Sequence, residues 1–231
     1  MNRIIDTTPR RAMTTAQQTQ ARTLAEKTQP EKTALVVVDY QNDFVAEGGA
    51  LSKAGKSNEP LAAIQGELSE AIDLAHHAGA RVVFLKCEYS TSDNRFLSRV
   101  FLDQARRRLE GLYHKIPVCE PGSWGSEFYG DVQPIGTDLV VKKHRFGGFD
   151  GTDLDMVLRS NGIESLVFTG VVTHVCVEST VREAFFHDYF NIVLGDVVAG
   201  YRQDWHEHSL QLMDWGFGEV VDLDDLRSVW A

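Results

Sequence analysis

The chain has 231 residues, of which 43% are hydrophobic and 24% charged, and a formal net charge of −10. That size fits one α/β domain with a real core, and the composition is ordinary for a globular protein. The acidic balance argues against nucleic acid or an anionic membrane as partner; no apolar run is long enough to cross a bilayer and no leader is read at the N-terminus, so the expected setting is the cytoplasm.

Residues 1–32 are rich in Thr, Gln, Arg and Ala and end near Gln29-Pro30. They read as an N-terminal extension, with a helix expected from about Ala12 to Lys27, ahead of a single domain over 33–231. Alternation then begins. Ala34 to Asp39 is a nearly unbroken apolar run, the pattern of a strand covered on both faces. Asn58 is placed to cap a helix with Pro60 in its first turn, running through Leu61, Ile64, Leu68, Ile72 and Ala75 to Gly79. Arg81 to Lys86 is the second strand. Residues 87–137 are irregular, with a short helix expected near Phe96 to Leu109 and then a Pro- and Gly-rich loop. Asp138 to Lys142 is the third strand, and Thr152 to Ser160 a helix stopped by Gly162. Ser165 to Thr169 is the fourth strand, followed by a helix over Val177 to Tyr189. Asn191 to Gly195, a helix over Gln203 to Trp215, and a sixth strand over Glu219 to Asp222 complete the series.

Strand and helix in alternation imply right-handed crossovers and a six-stranded, mainly parallel sheet in a three-layer α-β-α fold. Ligands of such sheets bind beyond the carboxyl ends of the strands. Three reactive candidates fall there: Asp39 after the first strand, Lys143 after the third and Cys176 after the fourth. Cys176 lies where a buried strand turns into a helix, whose unpaired N–H groups favour a thiolate. Lys143 supplies positive charge beside that sulfur, and Asp39 is placed to take the thiol proton and hand it to a leaving amine. Backbone N–H groups of the turn before Cys176 are available to an oxyanion. The chemistry needs no coenzyme. Lys142 and Lys143 are adjacent on an extended segment and point to opposite faces, so at most one enters the pocket.

Three segments resemble one family. Asp39-Tyr40-Gln41-Asn42-Asp43-Phe44, Lys143-His144-Arg145-Phe146-Gly147-Gly148-Phe149, and Gly170-Val171-Val172-Thr173-His174-Val175-Cys176-Val177-Glu178-Ser179-Thr180 are similar to the motifs of the isochorismatase-like cysteine hydrolases. The resemblance implies an Asp39–Lys143–Cys176 triad, which selects Lys143 over Lys142. It also implies a cis peptide before Val172, an oxyanion hole from the N–H groups of Val172 and Cys176, and a homodimer or homotetramer. Within the family, the stretch around Cys176 and the Pro121-Gly122-Ser123-Trp124 loop look most like ureidoacrylate amidohydrolases. The chain departs from these at Cys87 and Tyr89, where they carry Asn and Trp. The expected activity is therefore an amidohydrolase of a small amide or ureide. The alternatives are an amidase of a ring-opened heterocycle acid of maleamate type and a non-catalytic binding module.

Phe44, Tyr89, Trp124 and His174 are the candidate pocket-lining residues. No metal is expected: residues 40–75 hold no histidine, and His206 and His208 are spaced by two on a helix and read as solvent-exposed. Arg145 and Arg182 are read as surface salt-bridge residues or as partners for a substrate carboxylate. The three cysteines, Cys87, Cys119 and Cys176, form neither a disulfide framework nor a CxxC pair. Neither a GxGxxG nor a GxxxxGK[ST] run is present, which removes the dinucleotide and nucleotide-hydrolysis signatures.

Overall fold

The computed structural model describes residues 22–231. Six strands form one sheet: β1 (Thr33–Val38), β2 (Arg81–Cys87), β3 (Leu139–Lys143), β4 (Ser165–Val171), β5 (Phe190–Ala199) and β6 (Glu219–Val221). Their order is β3-β2-β1-β4-β5-β6, and every pairing is parallel. The sheet expected to be mainly parallel is thus wholly so. Wholly parallel pairing requires both faces covered, and every residue of the central strand β1 is buried.

Ten helices connect and flank the strands among the described residues: α1 (Leu24–Lys27), α2 (Asn42–Val45), α3 (Ala50–Lys53), α4 (Glu59–Ala63), α5 (Gln65–Ala78), α6 (Arg99–Arg107), α7 (Leu154–Ser160), α8 (Glu178–Phe186), α9 (Gln203–Gly216) and α10 (Leu223–Trp230). Strand side chains alternate between two cores. Leu35, Val37, Phe84 and Ile192 pack with Leu68 and Ile72 of α5 and with Leu226 and Trp230 of α10. Val36, Leu85, Phe168 and Val193 pack on the other face with Leu154 and Leu158 of α7, Val181 of α8 and Met213 of α9. The layers are therefore α-β-α.

Three local expectations are corrected. Asn58 does not cap with its side chain; its amide donates to the Val45 carbonyl at 2.9 Å, and the expected single helix divides at Ile64 into α4 and α5. The helix after the fourth strand is preceded by a π-helical turn over Thr173–Val177, which loosens the backbone where Cys176 sits. Of the helix expected over residues 12–27, the described part is helical only over α1, because Thr23 caps it and Arg22 and Thr23 are not helical; residues 12–21 lie outside the described residues. Residues 24–32 pack on the body. The Trp230 indole donates to the Thr28 carbonyl at 2.7 Å, the Glu164 amide donates to the Lys32 carbonyl at 2.8 Å, and Lys27 pairs with Glu219.

Candidate active site

The parallel sheet delivers three strand ends to one place. Asp39 follows β1, Lys143 closes β3, and Cys176 lies in the π turn after β4. Gly170 lets β4 run tight against β1. It pairs with Val38, it has φ +98°, and a Cβ there would overlap the Val38 carbonyl oxygen. Asp39 itself sits at φ 47°, a left-handed conformation uncommon outside glycine and found at functional turns. The peptide between Val171 and Val172 is cis, at the position the motif resemblance implied.

Lys143 and Asp39 are both 0% exposed, and the Nζ–Oδ2 distance is 2.7 Å. The ammonium also donates to the carbonyls of Arg145 and Phe146, each at 2.9 Å. The buried ammonium is thus held by two carbonyl hydrogen bonds and one ion contact. The Cys87 sulfur lies 3.8 Å from the same nitrogen. Cys176, 5% exposed, neighbours the carboxylate: thiol and carboxylate each perturb the other's proton affinity. Beyond the ion contact with Lys143, neither Asp39 carboxylate oxygen has a hydrogen-bond partner within the protein, so the carboxylate keeps acceptor capacity.

Burial raises the Asp39 carboxyl above its ordinary value against the opposing pull of Lys143. Lys143 is raised because the neighbouring carboxylate and sulfur outweigh its own desolvation. Burial also raises the Cys176 thiol well above its ordinary value, despite Lys143. Burial thus works against the thiolate that a helix start favours.

The motif around Asp39 builds the walls. Gln41 is 0% exposed; its amide group donates to the carbonyls of Cys87 at 2.9 Å and Ser126 at 2.7 Å, and its oxygen accepts from the Cys87 N–H at 2.8 Å. Asn42 donates to the Trp124 carbonyl at 2.8 Å. The Asp43 carboxylate accepts from the N–H groups of Ala50 at 3.0 Å and Cys119 at 2.6 Å. Together these bind the long 87–137 segment to the end of β1. Sequence reasoning quoted these residues as a motif without giving them this task; three consecutive side chains with amide or carboxylate ends beside a strand terminus were the available signal. The loop after Lys143 is held from α8, where Glu183 accepts from the Phe149 N–H at 2.8 Å. A Cβ on Gly147 would overlap that Glu183 carboxylate.

The pocket-lining candidates separate. Tyr89 is 0% exposed, its hydroxyl has no hydrogen-bond partner, and the charges of Cys87, Cys176 and Asp39 all act on it. Its ring packs edge-on against Tyr113 with centroids 4.9 Å apart. Phe44 is buried in the α5-side core. Trp124 turns outward: its ring lines a surface groove with Lys53 and Lys115, and its carbonyl is the part that is used, by Asn42. His174 packs edge-on against Tyr201 and Trp205, with neither ring nitrogen bonded, and burial pushes its imidazole down to about 4. It is neutral near neutrality and a weak base.

Lys142 points away and pairs with Glu88 at 2.9 Å. Arg145 gives its guanidinium to the Phe96 and His144 carbonyls rather than to a carboxylate, while Arg182 pairs with Glu178 at 2.7 Å. His206, expected in solvent, is half-buried and hydrogen-bonds Thr173 Oγ1 at 2.9 Å, because α9 packs on the π turn; His208 is exposed. Among the described residues, no three His, Cys, Asp or Glu side chains are grouped to hold a metal ion, and no helix is long and apolar enough to cross a membrane.

Known proteins share this architecture. A ureidoacrylate amidohydrolase of Serratia proteamaculans is 38% identical over 213 residues, covering 87% of this chain and 84% of its own. One from Acinetobacter baylyi is 35% identical over 205 residues, covering 84% and 81%. An isochorismatase-like hydrolase structure from Alkaliphilus metalliredigens superimposes with a TM-score of 0.71 at 28% identity, over 87% of this chain and 100% of that one. The N-carbamoylsarcosine amidase structure from Thermoplasma acidophilum gives 0.65 at 28% identity, over 84% and 97%. The Isochorismatase domain pattern matches residues 33–225, and the chain belongs to that family.

Proposed function

We propose that this chain is an amidohydrolase that cleaves a C–N bond in a small ureide or amide, with residues 33–231 as the hydrolase domain. Cys176 is the nucleophile, Asp39 the proton shuttle and Lys143 a fixed cation. The observation that carries the reading is the fully buried Lys143–Asp39 pair, 2.7 Å apart, facing the Cys176 thiol. The ureide class rests on the relatives, which are ureidoacrylate amidohydrolases, and on the likeness to an N-carbamoylsarcosine amidase.

In the first half-reaction, sulfur adds to the carbonyl carbon as its proton passes to Asp39. The N–H groups of Val172 and Cys176 receive the oxyanion. Asp39 returns the proton to the departing nitrogen, the C–N bond breaks, and ammonia leaves an acyl group on sulfur. Water then attacks that carbonyl and gives a proton to Asp39; the C–S bond breaks and the proton returns to Cys176. From a ureide the product is a carbamate, which decomposes to an amine and carbon dioxide. Tyr89, buried and within the electrostatic reach of Cys176 and Asp39, is assigned the role of donating its hydroxyl to the substrate. A homodimeric or homotetrameric assembly in the cytoplasm belongs to the same reading.

The test is ammonia release measured over ureides, carbamoyl amino acids, maleamate and nicotinamide. Turnover of the first two groups is expected, and Cys176→Ala is expected to lower it by at least about 10³-fold without unfolding the protein. A preference for maleamate moves the assignment to the ring-opened acids. Normal turnover by Cys176→Ala ends the nucleophile assignment.

A further inference from the structure

Phe185 and Phe186 end α8, Phe190 opens β5, and Trp215 and Phe217 lie at the end of α9. They share the edge of the sheet where β5 and β6 begin, opposite the strand ends that carry Asp39, Lys143 and Cys176. Phe186 is 73% and Trp215 83% exposed. Phe185, Phe186 and Phe217 meet edge to face with centroids 5.6–6.3 Å apart. A groove of about 410 Å³ opens between Phe185, Phe190, Trp215 and Phe217, with Arg22 and Asp214 on its rim. Contiguous aromatic surface of this kind marks a contact rather than a solvated face.

Two features point to its occupant. The first is position. Arg22, the first described residue, lines the groove and holds its guanidinium 5.0 Å from the centre of the Phe190 ring. The residues before it are covalently tethered there. At about 3.3 Å per residue, the polar stretch from Thr14 to Ala21 reaches at most roughly 26 Å, enough to carry the residues before it across the groove. The second is chemistry. Residues 1–13 hold Ile4, Ile5 and Met13 together with Arg3, Arg10 and Arg11, against one acidic residue, Asp6, in a chain whose net charge is −10. The face already receives arginines on its rings: Arg22 on Phe190, Arg159 on Tyr189 and Arg182 on Phe217.

We propose that this groove is the docking site for residues 1–13 of the same chain, with the apolar side chains of Ile4, Ile5 and Met13 between the aromatic rings and the arginines against the rings and Asp214. Tethering at Arg22 makes the contact intramolecular and gives it a high effective concentration.

Hydrogen–deuterium exchange tests this on three proteins: the full chain, a chain lacking residues 1–13, and the full chain carrying Ile4→Asp and Ile5→Asp. Both altered proteins are expected to exchange at least about ten-fold faster over 185–190 and 214–218, with unchanged exchange around Cys176 and unchanged ammonia release. Protection in the full chain should not depend on protein concentration. Equal exchange in all three proteins overturns the proposal. Protection that is lost on dilution, in step with a falling sedimentation coefficient, also overturns it and assigns the groove to a second copy.

Discussion

At the scale of single residues, the site depends on which proton sits where. Asp39 is raised by burial yet must be ionised to take the thiol proton, so activity is lost as pH falls through that raised value. The acidic limb of kcat/KM is therefore expected above the ordinary aspartate range. Lys143→Met would leave the Asp39 carboxylate buried without its cation. It is expected to cost about 3–5 kcal/mol of stability and about 10²–10⁴-fold in kcat/KM. Adding Asp39→Asn should restore much of the stability, read by denaturant unfolding, and none of the activity. Tyr89 gives a cleaner separation, because its hydroxyl has no partner within the protein. Tyr89→Phe removes a buried hydroxyl that the proposed function assigns to the substrate. The Tm should hold or rise while kcat/KM for ureides falls about 10–100-fold; a fall in Tm with kinetics intact would give the hydroxyl a structural role instead.

Elements set those residues in place, and here the sequence was legible unevenly. The strands β1, β2 and β4 were readable because burial on both faces leaves short unbroken apolar runs. Lys143 was separable from Lys142 only through the motif resemblance, since alternation along a strand says that one of two neighbours enters without saying which. The 87–137 segment was not readable. Its course follows from the Gln41, Asn42 and Asp43 contacts, which join residues far apart in sequence and leave no local period. The helix α10 was overlooked although its signals were local: Asp222 and Asp225 form a capping box, and Leu223, Leu226 and Trp230 share a face. The Gly147–Gly148 pair carries an element-level prediction. Gly147→Ala would push Glu183 off the loop that follows Lys143. The expected result is a stability loss of about 1–3 kcal/mol and a drop in kcat larger than that stability loss alone explains, measured by steady-state kinetics well below the Tm.

Across the whole molecule, the first described elements meet the last helix. α1 and the turn after it lie against α10, and Trp230 is shared between the α5-side core and the Thr28 carbonyl. Residues 24–32, read from composition as part of the extension, make contacts with the body, and a short polar stretch reveals such contacts only through partners at the other end of the chain. Trp230→Ala is expected to cost about 3–5 kcal/mol, seen as a lower denaturant midpoint. The largest consequence lies in how completely the chemistry is shut away. With Asp39 and Lys143 at 0% exposure and Cys176 at 5%, the reacting atoms lie deep in the resting molecule. So narrow an opening spares the sulfur from passing oxidants and sorts guests by size before any contact inside is made.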